Sequence, residues 1–278
     1  MALIPPFFID AVIAIGKQTG TGTSIQKQWI GTGFLYATFQ CINPEDSTKS
    51  DYKIHLVTNK HILLNQENII LRFNPQNGQA ATDFPLALKK ADGTDVWTGH
   101  QNPDVDVAVI RLNAKMIVDA GMKISYFKSE SDILTKQNMI DEEVGEGDFI
   151  YVLGYPMGMM LSDRQHVIVR GGIIARIKDV FENRNSSFTI DSLVFPGNSG
   201  GPVIIKPEAS FIQGTKPMNK AALIGIVKSY ISYTDVAISQ QTGNARITFE
   251  ENSGLTNVET VDKITESITA DIQRNNVV

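Results

Sequence analysis

Gly197-Asn198-Ser199-Gly200-Gly201-Pro202 is followed at once by Val203, Ile204 and Ile205. A nucleophilic serine needs its oxygen exposed on a tight turn, with bare backbone N–H groups aimed at the reacting carbonyl. Glycine permits both, because without a Cβ it accepts positive φ and lets other atoms come close. The stretch makes Ser199 a candidate nucleophile. The rest of the chain decides which fold presents it.

The same residues fit G-x-S-x-G, a strand–turn–helix elbow in which the serine precedes its acid and then its histidine. The four histidines are His55, His61, His100 and His166, and all precede Ser199. That order therefore cannot be met. The following segment also disfavours a helix: Gly200-Gly201-Pro202 is a poor first turn, and Val203 to Ile205 favour a strand. What remains is the order His, Asp, Ser, in which a base deprotonates the serine and a carboxylate orients the base.

His61 suits the base. It follows the strand-like run Ile54-His55-Leu56-Val57 and the turn Thr58-Asn59-Lys60, and precedes Ile62-Leu63-Leu64. His55 lies inside the strand and reads as structural or surface, His100 sits in a polar loop, and His166 precedes another strand pattern. For the acid, Asp104 and Asp106 compete ahead of Val107-Ala108-Val109-Ile110. Asp106 abuts the apolar run, where a side chain can be buried and held.

Short β-rich runs separated by Gly, Asn, Asp and Pro recur along the chain: 33–39, 53–57, 69–73, 105–112, 149–154, 167–177, 188–194, 202–205 and 222–227. This spacing predicts antiparallel barrels or sandwiches. Residues 7–15 read as the first strand. Residues 113–147 read as a crossover, with a short helix within 132–140. Val258, Val261, Ile264, Ile268 and Ile272 recur at spacings of three and four, and Thr256-x-x-Glu259 fits a capping box. An amphipathic helix is predicted over 257–274, its stripe packed on the second barrel or offered to a partner.

The 278 residues suffice for a full core, and the net charge of −5 comes without a basic stripe or aromatic platform. Nucleic acid is not an expected partner. Cys41 is the only cysteine, so no internal disulfide can form. Secreted proteins of this kind usually carry several. Pro5, Pro6 and Asp10 spoil residues 1–15 as a signal peptide. No run approaches the roughly 18–20 apolar residues of a membrane span. The expectation is a cytoplasmic protein with no membrane partner, no cofactor and no metal, since four scattered histidines and one cysteine give no ligand spacing.

Six pieces together resemble the trypsin-like (chymotrypsin-fold) serine peptidases, in particular the HtrA-like branch. They are Ile30-Gly31-Thr32-Gly33-Phe34-Leu35, Thr58-Asn59-Lys60-His61, Asp106-Val107-Ala108-Val109, Gly154-Tyr155-Pro156 with Gly158, Gly171-Gly172-Ile173-Ile174, and Gly197 to Pro202. They occur in the family's order, and the resemblance as a whole spans roughly residues 8–274. The family usually carries alanines before the histidine, where this chain has Asn59 and Lys60.

The resemblance implies an all-β fold of two antiparallel six-stranded barrels with the site between them, plus the C-terminal helix. His61 and Asp106 would lie in an N-terminal barrel (6–118). Ser199 would lie in a crossover and C-terminal barrel (119–256), followed by the helix (257–274). The implied activity is that of a serine endopeptidase acting through an acyl-enzyme, with the backbone N–H groups of Gly197 and Ser199 as oxyanion hole. Leu223 to Tyr230 looks like the strand that lines the specificity pocket and pairs with substrate, which assigns Lys228, Ser229 and Tyr230 to substrate binding. Ser253-Gly254-Leu255, centred on Gly254, looks like the opposite wall.

By the same resemblance, Leu193, six residues before the serine, falls where this family sets the pocket floor, with Asp191 two residues earlier. An apolar floor predicts cleavage after small or medium apolar residues. Asn198 stands where an Asp receives a newly cut N-terminus in secreted relatives, and Met1-Ala2-Leu3 suggests no pro-segment. Activation by such a cut is therefore not expected, and loops or a regulatory protein partner would have to supply any control. No PDZ-like segment is recognised. Two alternatives stay open: a non-cleaving peptide-binding module of the same fold, and an esterase on this scaffold.

Overall fold

The computed structural model describes residues 4–20, 25–44, 46–76, 78–161, 163–208 and 216–276. Residues 1–3, on which the pro-segment expectation rests, lie outside them.

The first half is built on α1 (Pro6–Asp10), β1 (Val12–Thr19), β2 (Gln26–Ile42), β3 (Ser50–Thr58), α2 (Lys60–Leu63), β4 (Asn68–Phe73), β5 (Thr82–Ala87), β6 (Thr98–Gly99) and β7 (Ala108–Arg111). Its sheet runs β5-β4-β1-β2-β3-β7-β6. A crossover follows, with α3 (Ala114–Asp119), β8 (Phe127–Lys128) and α4 (Lys136–Asp141). The short strand β8 returns to pair in parallel with β2.

The second half holds β9 (Phe149–Gly154), a 3₁₀ turn at Pro156–Gly158, β10 (Ile168–Arg176), α5 (Lys178–Phe181), β11 (Ser187–Asp191), β12 (Pro202–Ile205), β13 (Ala222–Ile238) and β14 (Ala245–Thr260). These six strands close a barrel in the order β10-β11-β14-β13-β12-β9. The helix α6 (Val261–Asn276) ends the described chain. The all-β expectation is met, with one difference. The second barrel is closed by hydrogen bonds, whereas the first half is an eight-stranded sheet whose path does not close.

Continuous apolar runs in β1 and β2 follow from burial on both faces, because alternate side chains point to opposite sides of a strand. Ile13, Ile15, Leu35 and Ala37 face the core of the first half, with Leu56, Leu71 and Phe73. Val12, Ala14, Phe34 and Tyr36 face the other way, into a seam shared with Tyr155, Ile204, Leu223 and Ile226 of the second half. The second barrel has its own core of Val152, Phe188, Ile190, Val203, Ile224 and Val258.

Three sequence expectations are corrected. Pro6–Asp10 is a helical turn and not strand, with β1 starting at Val12. Proline presets helical φ at the first position of a helix. The C-terminal helix begins at Val261, so 257–260 belong to β14 and no capping box forms. Thr256 instead donates its hydroxyl to the Ser192 carbonyl, 3.0 Å. The stripe Val261, Ile264 and Ile268 is buried in the seam and not on the second barrel alone. Helix α6 reaches the first half through its own side chains: the Asp271 carboxylate accepts from Thr98 Oγ1 at 2.7 Å and lies 3.3 Å from His55 Nε2, both buried. His55 is thus structural.

Candidate active site

The site is built where the end of β3, the turn before β7 and the Gly197–Pro202 turn meet. After Thr58 the chain turns into α2, which carries His61. Ile62 of the same helix packs under β2, where a Cβ on Gly31 would lie 2.4 Å from the Ile62 side chain. Any residue other than glycine at 31 would push α2 away, which gives the Ile30–Leu35 motif its physical reason.

His61 and Asp106 are brought together. His61 Nδ1 lies 2.5 Å from Asp106 Oδ2, and the His61 backbone N–H donates to Asp106 Oδ1 at 3.1 Å. Among the described residues, Asp104, the competitor, makes no hydrogen bond or ion pair with His61. The His61 side chain is half exposed, at 50%, and Asp106 is 19% exposed. The imidazole can therefore meet a ligand while its carboxylate is held inside. The two residues that depart from the family's alanines both bond to the segment that carries Asp106. Asn59 Nδ2 donates to the Asp106 carbonyl at 2.6 Å, and Lys60 Nζ donates to the Asn102 carbonyl at 2.9 Å. Burial draws the Lys60 ammonium below its usual pKa, against the opposing pull of Asp106 and Glu259.

Ser199 lies on a turn whose shape only glycine allows. Gly197 has φ +100° and Gly200 φ +83°. A Cβ on Gly200 would come 2.0 Å from the Thr32 carbonyl, and one on Gly197 2.3 Å from that of Tyr155. Thr32 clasps the turn. Its hydroxyl donates to the Gly197 carbonyl at 2.6 Å and accepts the Tyr155 N–H at 3.1 Å. Its backbone N–H donates to the Ser199 carbonyl at 2.9 Å. Thr58 Oγ1 donates to the Thr32 carbonyl at 2.8 Å. The serine turn is thus anchored to the strand end three residues before His61.

Among the described residues, no hydrogen bond joins Ser199 to His61, and the N–H groups of Gly197 and Ser199 donate to no protein group. Catalytic hydrogen bonds are often long in structures without substrate. Asn198 is buried, and among the described residues its Oδ1 has no hydrogen-bond partner.

The expected substrate residues fall on both sides of this turn. Leu193 is 39% exposed, between Ser192 and Val194. The Ser192 N–H donates to the Gly254 carbonyl, and the Val194 carbonyl accepts from Asn252 Nδ2. The segment is therefore fastened to β14 beside Gly254. Ser229 and Tyr230 are exposed on β13. The Lys228 side chain turns instead to the Asp104 carbonyl, 2.6 Å, and to Glu259, 2.9 Å.

The sequence reasoning did not single out Thr32, Thr58, Asn59 or Glu259 as site residues. Thr32 carried a usable signal, since it is the only polar residue inside the Ile30–Leu35 motif. Among the described residues, no three His, Cys, Asp or Glu side chains converge as a metal site. No described helix is long and apolar enough to cross a membrane.

A serine protease HtrA-like protein of Staphylococcus aureus (strain USA300) is 23% identical over 239 residues, covering 82% of this chain and 24% of that protein. The chain thus spans about a quarter of the length of that relative. The protease domain of MamO from Magnetospirillum magneticum, in its apo form, aligns with a TM-score of 0.48 at 15% identity, over 93% of this chain and 96% of that one. A second solved protease, in an inactive form, aligns at 0.44 and 15% identity, over 95% and 89%. The family model for a trypsin-like peptidase domain matches residues 31–208. That stretch is more than half of the chain and runs from the glycine under α2 past the serine turn. The chain belongs to the trypsin-like peptidase domain family.

Proposed function

We propose that this protein is a serine endopeptidase whose nucleophile is Ser199, whose base is His61 and whose orienting carboxylate is Asp106. One observation carries the reading: a half-exposed imidazole held by a carboxylate at 2.5 Å, on the seam where the serine turn is anchored. Ser199 Oγ bonds to the scissile carbonyl carbon while its proton passes to His61 Nε2. The tetrahedral oxyanion rests on the free N–H groups of Gly197 and Ser199. Such donors each contribute about 10²–10³ in rate. Collapse of the intermediate breaks the C–N bond, and His61 returns the proton to the leaving amine. Water then repeats the sequence on the acyl-enzyme. Asp106 holds the imidazole in the tautomer that leaves Nε2 free and stabilises its protonated form.

Substrate pairs as an added strand along Ser229 and Tyr230. The exposed Leu193 beside Gly254 favours small or medium apolar side chains at the cleaved position. The protein acts in the cytoplasm, in keeping with its single, exposed Cys41. Control falls to loops or to a protein partner, in keeping with an amide and not a carboxylate at Asn198.

The missing Ser199–His61 hydrogen bond favours a second reading, a cleft that binds peptides without cutting them. A fluorophosphonate probe separates the two. The expected outcome is a single covalent adduct mapped to Ser199 and absent from Ser199→Ala. No adduct on the folded wild type would support the binding module.

A further inference from the structure

Glu259 is fully buried on β14, with no exposed side-chain surface, and nothing in the triad mechanism uses it. A buried carboxylate without a counter-ion is costly and normally gives up its charge. Glu259 has one partner cation, Lys228 Nζ at 2.9 Å, and its Oε2 faces no donor among the described residues.

Lys228 occupies a β-bulge. Val227 pairs with Val258 and Ser229 with Asn257, so Lys228 is the extra residue. A bulge re-aims a side chain that the regular pleat would send elsewhere. Lys228 is thereby directed across the seam, where it also donates to the Asp104 carbonyl at 2.6 Å. The same oxygen completes the arrangement, because Glu259 Oε1 also accepts the Asp106 backbone N–H at 3.4 Å.

We propose that Lys228 and Glu259 are positioning residues, which reach from the second half to clamp the Asp104–Asp106 turn and so fix the carboxylate that orients His61. The proposal rests on the peptidase reading for its catalytic consequence, but not for the clamp itself. Every polar group of Asp106 then has a partner: its N–H meets Glu259, its carbonyl Asn59, and its two carboxylate oxygens the backbone and ring of His61. Asn59 and His61 come from the same half as Asp106. Only Lys228 and Glu259 come from the half that carries Ser199. The ion pair therefore ties the position of the base to the position of the nucleophile. Lys60 and Asp104 are further charged groups that bear on this cluster. On α6, Asp262 is engaged by the Lys136 N–H and Lys263 by Glu266.

The test compares wild type, Glu259→Ala and Glu259→Gln. Two readouts are taken: the downfield proton NMR signal of the His61 Nδ1–H bonded to Asp106, and kcat and KM on a peptide substrate. In Glu259→Ala the signal should broaden or vanish, and kcat should fall roughly 10- to 100-fold with KM little changed, the scale expected when a catalytic group is misplaced by about 1 Å. Glu259→Gln keeps an acceptor for the Asp106 N–H and should restore the signal and most of kcat.

Should Glu259→Ala fail to fold, the double variant Lys228→Met/Glu259→Leu carries the same expectation. Exchanging a buried ion pair for apolar groups of similar volume is often tolerated. A sharp signal and a kcat within twofold of wild type in Glu259→Ala, or in the double variant if Glu259→Ala does not fold, would overturn the proposal. The NMR signal reads the clamp even in a chain that cleaves nothing, whereas an inactive, unlabelled wild type would overturn the peptidase reading instead.

Discussion

Thr32 holds together what the reaction needs to keep apart only by a bond length. Its hydroxyl satisfies the Gly197 carbonyl and the Tyr155 N–H at once, both buried backbone groups. Valine has the same shape and neither hydrogen-bonding function. Thr32→Val leaves a buried acceptor and a buried donor unpaired, at about 1–3 kcal/mol for each group. Urea denaturation should read a loss of about 2 kcal/mol or more, with Thr32→Ser retaining most of the stability. The Val variant should also turn over more slowly, because the Gly197 peptide of the proposed oxyanion hole loses its tether. Equal stability of wild type and Thr32→Val would remove Thr32 from this role.

Among the elements, α6 does the unexpected work. It is continuous with β14 of the second barrel, yet its buried carboxylate Asp271 is bonded by Thr98 and sits beside His55, both in the first half. Burial alone would raise the Asp271 carboxyl, but hydrogen bonds from His55 and Thr98 outweigh it and hold its pKa below the ordinary value. A carboxylate whose pKa is lowered by folding adds stability above its unfolded value, about 3.9. That stability is lost as pH falls through the folded value. Asp271→Asn should therefore lower stability at neutral pH by about 1–3 kcal/mol. The gap between variant and wild type should narrow below about pH 4. Denaturant curves at neutral and acid pH check this, and a gap that stays constant with pH would contradict it.

The helix also marks where sequence reading stopped. Its stripe of Val261, Ile264 and Ile268 was legible because period 3.6 is a local signal. Its start was not. Thr256 and Glu259 fit a capping box by spacing, but they are strand residues whose side chains serve Ser192, Lys228 and Asp106. Tertiary partners, which a local pattern does not contain, decided their conformation. The hairpin of β13 and β14 beyond Tyr230 escaped for a related reason. It is exposed on both faces from Tyr233 to Glu251, so no buried face imposes the alternation that betrays a strand.

At the scale of the whole molecule, the two halves meet along one apolar seam, and the site lies on it. That placement was legible through the order His61, Asp106, Ser199 and through glycines whose positions the turn requires. The Lys228–Glu259 clamp was not, since the lysine's direction depends on a bulge and the glutamate's partner lies 153 residues away in sequence.

The central claim is that this seam cleaves polypeptide chains through Ser199. The direct measurement is proteolysis of an unfolded protein substrate by wild type and by Ser199→Ala, with the new termini sequenced. The account predicts cuts after small or medium apolar residues in the wild-type reaction. It also predicts a loss of at least about 10³-fold in Ser199→Ala, with its fold unchanged. Equal cleavage by Ser199→Ala, or none by a folded wild type whose Ser199 takes the probe, would contradict it.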